Sequence, residues 1–278
     1  MSLFIASLNS GSNGNCYYVG NGNEAILVDV GISCKEVETR MKKLQLSMQT
    51  VKAIFVSHEH SDHIRGIAVL AQKWRLPVYS TKPMRRRGSF WIDKELVQDF
   101  VQHQPVQVGN LSVTPFPKFH DAADPYSFTV KGNGVTVGVF TDLGKPCDQL
   151  VRHFSQCHAA FLESNYDEVM LDKGSYPYHL KNRIRGGQGH LSNRQALELF
   201  QQYRPAHLSH LLLAHLSKNN TCPKLVAELF APHAGNTHVV VASRYEATPV
   251  YEIKATGSSA LFRGQEPPTP KQQQLALF

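Results

Sequence analysis

His58-Glu59-His60-Ser61-Asp62-His63 directly follows the apolar run Lys52-Ala53-Ile54-Phe55-Val56-Ser57. The run reads as a strand buried on both faces. His58, His60, Asp62 and His63 therefore stand at the end of a buried strand. They cannot all point into an apolar core there without a large desolvation cost. Imidazole and carboxylate are good ligands for zinc, manganese or iron. His58 and His60, one residue apart, can face one metal, and Asp62 with His63 can face a second beside it. A loop that merely happened to be polar would not need this density of ligand types in this place.

Around this motif the chain alternates strands and helices. Upstream, residues 3–8, 16–20 and 25–29 read as strands bounded by Gly and Asn. Ser33 is set to cap a helix over 34–44, with Glu36 completing a capping box. Downstream, residues 63–74 have helical spacing in Ile64, Ile67, Ala68 and Ala71. Strands follow at 106–108, 111–116, 126–131 and 135–142, with Gly132-Asn133-Gly134 as a hairpin turn. A helix at 147–155, a strand at 159–163 and two polar helices at 166–172 and 178–185 come next. Ser192 caps an amphipathic helix at 193–203. A buried strand at 208–215, a helix at 223–229 and a last core strand at 238–243 complete the pattern. No internal repeat and no dividing linker is visible, so residues 1–256 read as one α/β domain of two sheets covered by helices. Residues 257–278, rich in Pro and Gln, read as a flexible tail.

Composition narrows the class. The chain has 278 residues, 42% hydrophobic and 18% charged, as a globular protein does. No apolar run approaches the roughly 18–20 residues of a membrane helix. The N-terminus has no basic region of the secretory kind, so a cytoplasmic protein without a membrane partner is expected. Lys and Arg number 29 against 22 Asp and Glu, and the net charge of +7 permits an anionic partner such as nucleic acid. Five scattered cysteines, none in a C-x-x-C pair, fit a reducing compartment.

The motif resembles His-x-His-x-Asp-His, the signature of the metallo-β-lactamase fold superfamily. Asp29 in Leu27-Val28-Asp29-Val30-Gly31 is similar to the aspartate that braces the metal loop in that superfamily. Asp142 in Phe140-Thr141-Asp142-Leu143-Gly144 resembles the aspartate shared by both metals. His120 and His215 resemble the isolated histidines of the first and second metal. The resemblance implies a four-layer αββα sandwich and two divalent metal ions, zinc or manganese. It assigns His58, His60 and His120 to one ion, Asp62, His63 and His215 to the other, and Asp142 to both. Two ions so bridged clamp the attacking and leaving oxygens of a displacement.

Gly189-His190-Leu191-Ser192-Asn193 resembles the arrangement in tRNase Z and related phosphodiesterases. That implies His190 as a general acid or an oxyanion-stabilising group, catalytic alongside Asp62. The chain is more similar still to the YycJ (WalJ) family of exonucleases. Leu8 to Asn15, Glu163-Ser164-Asn165-Tyr166-Asp167, the stretch from Tyr176 to Arg185 and His215 to Asn220 carry that likeness. It implies a 5′-to-3′ DNA exonuclease of repair or replication. A cyclic nucleotide or ribose phosphodiesterase of the PhnP type, or an RNA nuclease, would use the same metal core. A non-catalytic, metal-stabilised binding protein would not need every ligand position filled.

Further residues suggest substrate contacts. Ser10, Ser12 and Asn15, with Gly11 and Gly14, form either an anion nest or an ordinary turn between strands. Lys181, Arg183 and Arg185, and the run Arg85-Arg86-Arg87, either meet phosphates or form a solvated face. Trp91, Tyr176 and Tyr178 either stack on bases or pack. The remaining eight histidines fit no ligand pattern. Gln274-Leu275-Ala276-Leu277-Phe278 resembles the pentapeptide that binds the bacterial sliding clamp. That likeness implies polar contacts from Gln274 and a hydrophobic cleft filled by Leu275, Leu277 and Phe278. Docking of this segment on its own domain is the competing expectation.

Overall fold

Apolar residues alternate between two cores along the strands, and this alternation fixes the layers. In the strand His210–Ala214, Leu212 and Ala214 join one core while Leu211 and Leu213 join another. Ala159 and Phe161 part from Ala160 and Leu162 in the same way. A strand apolar at every position must be covered on both faces.

The computed structural model describes residues 2–88, 90–255 and 260–261. Among these, the first sheet contains β1 (Ser2–Asn9), β2 (Cys16–Gly20), β3 (Ala25–Val28), β4 (Val51–Phe55), β5 (Val78–Tyr79), β6 (Val97–Gln98), β14 (Tyr251–Lys254) and β15 (Ala260–Leu261). Its order is β15-β14-β1-β2-β3-β4-β5-β6. The second sheet contains β7 (Val106–Val108), β8 (Leu111–Pro117), β9 (Tyr126–Gly132), β10 (Val135–Phe140), β11 (Ala159–Glu163), β12 (His210–Ala214) and β13 (His238–Val241). Its order is β13-β12-β11-β10-β9-β8-β7. Each sheet is antiparallel on one side and parallel on the other, the change falling at β3 and at β10.

One core fills the space between the sheets and extends under α1 (Cys34–Lys43) and α3 (Ile67–Trp74). A second core lies between the other sheet and α5 (Asp148–Phe154), α8 (Asn193–Tyr203) and α9 (Pro223–Phe230). The result is the four-layer αββα sandwich. The expected capping box of Ser33 with Glu36 forms on α1, and Ser192 caps α8 as expected, there in a box with Gln195. The remaining helices are α2 (Ser61–Ile64), α4 (Lys82–Gly88), α6 (Glu168–Lys173) and α7 (Tyr178–Arg185).

Three expectations are corrected. The continuous helix over 63–74 is two helices, α2 and α3, parted at Gly66. Gly66 donates its N–H to Val30 O at 2.8 Å, and a Cβ there would stand 2.0 Å from Ile32 O. Strand 238–243 is not the last: β13 is an edge, and β14 returns to pair with β1. Its four residues are too short a period to stand out after a turn. Finally, β15 pairs with β14 inside the stretch read as a tail. Gln274, Leu275, Leu277 and Phe278 lie outside the described residues. No helix among the described residues is long and apolar enough to cross a membrane.

Candidate metal centre

The chemistry-bearing residues gather where parallel strands end. Asp29 follows β3, His58 comes after β4, Asp142 after β10 and His215 after β12, while Glu163 closes β11. Open α/β sheets bind ligands beyond the carboxyl ends of their strands. Asp29, Asp142 and His215 all sit at positive φ, +60°, +54° and +56°. Non-glycine residues take that conformation at a cost, which clusters at functional sites.

His58, His60 and His120 bring one ring nitrogen each within 4.8 Å of the others. His58 Nε2 is 3.0 Å from His60 Nδ1, and His120 Nε2 is 3.3 Å from the same atom. The tautomers follow from the surrounding hydrogen bonds. Ser57 Oγ donates to Asp29 Oδ2, so it can accept only from His58 Nδ1, 2.9 Å away. His120 Nδ1 donates to Gly189 O at 2.9 Å. Both rings thus aim an Nε2 lone pair at the same place. Burial keeps the three rings from charging, and it holds His120 down to about 3. Lone pairs that converge without a donor between them suit a cation.

Asp62, His63 and His215 form a second group within 4.8 Å. Asp62 Oδ2 is 3.5 Å from both His63 Nε2 and His215 Nε2. Asp142 stands between the groups, with Oδ2 3.2 Å from His63 Nε2 and Oδ1 3.8 Å from His120 Nε2. That buried Oδ2 has no hydrogen-bond partner among the described residues. An unpaired carboxylate oxygen in a dry site is costly, and a metal ion would satisfy it. Burial works against a charged His215, but Asp142, Asp62 and Glu163 outweigh it and push the ring up to about 10. The donor set fits divalent cations: one group is three imidazoles, and the other joins two imidazoles to the carboxylate of Asp62, with Asp142 beside both.

Asp29 lies beneath the histidine motif. It is fully buried, accepts from Ser57 N and Ser57 Oγ at 2.7 Å each, and holds His63 Nδ1 at 2.7 Å. His190 and Asp62 have partly open side chains, about 22% and 20% exposed, and His190 lines the cleft.

Several expected substrate contacts are corrected. Ser10 and Asn15 are buried braces, not surface contacts. Ser10 Oγ accepts from His215 N at 2.7 Å. Asn15 Nδ2 lies 3.1 Å from His63 Nε2 and 3.3 Å from Asp62 Oδ2. In the loop, the N–H groups of Ser10, Gly11, Gly14 and Asn15 are bonded inside the protein, so those four do not serve an anion. Ser12 does line the cleft beside His190. Lys181 and Arg185 both turn to Asp172, while Arg183 pairs with Asp121 and lines the cleft. The cause is helical geometry: at 100° per residue, position 183 lies opposite 181 and 185. Arg85 is paired with Asp99.

Glu163 escaped assignment in the sequence. Its carboxylate is fully buried and reaches His190 Nδ1 at 2.8 Å and His215 Nδ1 at 2.9 Å. Its Oε2 accepts from Leu143 N and Leu191 N. Burial opposes the charge, yet His190 and His215 hold the carboxyl down at about 2. The available signal was a lone acid closing an apolar strand, the same signal carried by Asp29 and Asp142. Asn165, which donates to His215 O at 2.7 Å, was missed alongside it.

Comparison with known proteins agrees with this geometry. Residues 24–215 match the family model described as "Beta-lactamase superfamily domain". Exodeoxyribonuclease YycJ of Bacillus anthracis is 35% identical over 230 residues, covering 81% of this chain and 86% of that protein. Exodeoxyribonuclease WalJ of Streptococcus pneumoniae is 29% identical over 223 residues, covering 78% and 83%. Among solved structures, the metallo-beta-lactamase fold protein YhfI from Bacillus subtilis superposes with a TM-score of 0.68 at 18% identity. That alignment covers 91% of this chain and 100% of that one, a likeness of fold. With the αββα layers and the His/Asp cluster in place, the chain belongs to the beta-lactamase superfamily, in the branch that includes YycJ and WalJ, and is a metal-dependent hydrolase.

Proposed function

We propose that the chain is a 5′-to-3′ DNA exonuclease that holds two divalent metal ions and acts in DNA repair or replication. The observation that carries this reading is Asp142, whose unpaired buried Oδ2 lies between two groups of ligand atoms. The names of YycJ and WalJ, both exodeoxyribonucleases, support the substrate. His58, His60 and His120 hold one ion, Asp62, His63 and His215 the other, and Asp142 contributes to both. Zinc and manganese each suit this donor set.

Divalent ions in such a site make water nucleophilic near neutral pH and offset the charge of a phosphodiester. The chain's own residues position the reaction. Asp29 and Ser57 orient His63 and His58, and Glu163 orients His190 and His215. Asp62, about 20% exposed, fixes the direction of water attack. As the water oxygen bonds to phosphorus, the bond to the leaving sugar oxygen breaks, and His190 delivers a proton to that oxygen. Arg183 meets the charge of the strand from the cleft wall.

The protein works in the cytoplasm, and Gln274, Leu275, Leu277 and Phe278 tie it to the sliding clamp. Digestion of end-labelled single- and double-stranded DNA and RNA with zinc or manganese tests the activity. Early release of a 5′ label from DNA is expected. Preferential cleavage of RNA or of a cyclic ribose phosphate would overturn it. Calorimetry of the clamp with the full chain and with a chain ending at residue 273 tests the motif. Micromolar binding by the first alone is expected; equal binding, or none, sinks it.

A further inference from the structure

A cavity of about 190 Å³ opens beside His190 and His215. One side of it is α7 with Tyr176 just before it, part of a small apolar cluster. Tyr166, Leu171 and Ile184 form it, with Tyr176 and Leu180 packed against them, apart from the two main cores. Tyr176 is therefore held on one side by apolar packing. At its tip, Asn219 Nδ2 donates to the hydroxyl at 3.1 Å. The rest of the ring lines the cavity together with Leu180 and Ile184. Tyr178 and Trp91 are 73% and 69% exposed and do not line it.

A phosphate by itself has no use for one aromatic and two aliphatic side chains. A nucleobase does, since stacking and apolar contact are how bases are held without being read. The hydroxyl on that ring is tethered by the Asn219 amide, which fixes the ring's direction. The volume falls below the roughly 300 Å³ at which drug-sized pockets begin, so it suits one base rather than a continuing chain.

We propose that this cavity receives the base of the terminal nucleotide, stacked on Tyr176 and flanked by Leu180 and Ile184, whatever that base is. The proposal rests on the nuclease reading above. It gives that reading a physical cause for attack at an end: the departing nucleotide sits beside His190, in a cavity with room for one base. Tyr176 is a specificity-determining residue here.

The test compares two single-stranded DNAs that differ only at the 5′-terminal residue, one normal and one lacking its base. The full-length, metal-loaded protein is used with its Tyr176→Ala, Tyr176→Phe and Tyr178→Ala variants. The unaltered protein should lose roughly tenfold in kcat/KM on the abasic strand. Tyr176→Ala should lose roughly tenfold on the normal strand and little on the abasic one, Tyr176→Phe should keep the preference for the normal strand, and Tyr178→Ala should behave as the unaltered protein. An equal loss on both strands would make Tyr176 merely structural and overturn the assignment. So would an unaltered protein indifferent to the terminal base. If the unaltered protein cleaves neither strand, the nuclease reading itself fails and takes this proposal with it.

Discussion

Glu163 Oε1 lies 2.8 Å from His190 Nδ1, which turns the other ring nitrogen of His190 toward the cleft. The same oxygen holds His215 Nδ1 at 2.9 Å, so one buried carboxylate orients a metal-facing ring and a cleft-facing ring together. Partners of this kind fix tautomer and ring direction. Glu163→Gln should therefore lower DNA turnover by about 10–100-fold. His190→Ala should lower it by about 10²–10⁴ while leaving metal content unchanged. The double variant should be little worse than His190→Ala alone. A substrate with a p-nitrophenolate leaving group should largely rescue His190→Ala, and unrescued loss would remove the acid role.

Asp142 reaches toward both groups of ligand atoms, with His63 Nε2 3.2 Å from its Oδ2 and His120 Nε2 3.8 Å from its Oδ1. Asp142→Ala should reduce bound metal at both positions, whereas His215→Ala should mainly halve it. Metal analysis after gel filtration reads both. Full occupancy in Asp142→Ala would refute its shared position.

Gly31 passes under the backbone of Asp62. A Cβ there would lie 1.6 Å from Asp62 O, the atom that accepts from Asn15 N at 2.7 Å. Gly31→Ala must push these segments apart. A loss of about 1–3 kcal/mol is expected, with a lower melting temperature and weaker metal retention. An unchanged melting curve would show that the loop yields freely.

His153 stacks on Phe116, ring centroids 4.0 Å apart and nearly parallel. Burial, then His103 and Arg152, holds its pKa down to about 4. In the unfolded chain the ring titrates near 6.5. Between these values the unfolded state binds the proton more readily, so stability falls as pH drops from about 6.5 toward 4. His153→Gln should lose less stability over that window than the unaltered protein. Urea melts at pH 7 and pH 4.5, both with chelator, would measure it; parallel losses would count against this role.

The sequence by itself determined the sandwich and marked most of the residues that the fold gathers in the candidate metal centre. Strand and helix periods are local in the chain, and so are the capping boxes of Ser33 and Ser192. A ligand residue that closes an apolar strand is visible for the same reason, because burying it without a partner is too costly. Only the tertiary structure decided what Ser10, Asn15, Glu163 and Tyr176 do. Ser10 braces His215 across 205 residues, and Asn15 reaches His63 across 48. Such pairs depend on how two sheets close on each other, which no local period records. The basic stripe of α7 divided for a related reason: sequence spacing counts residues, while a helix sorts them by angle, and only Arg183 faces the cleft.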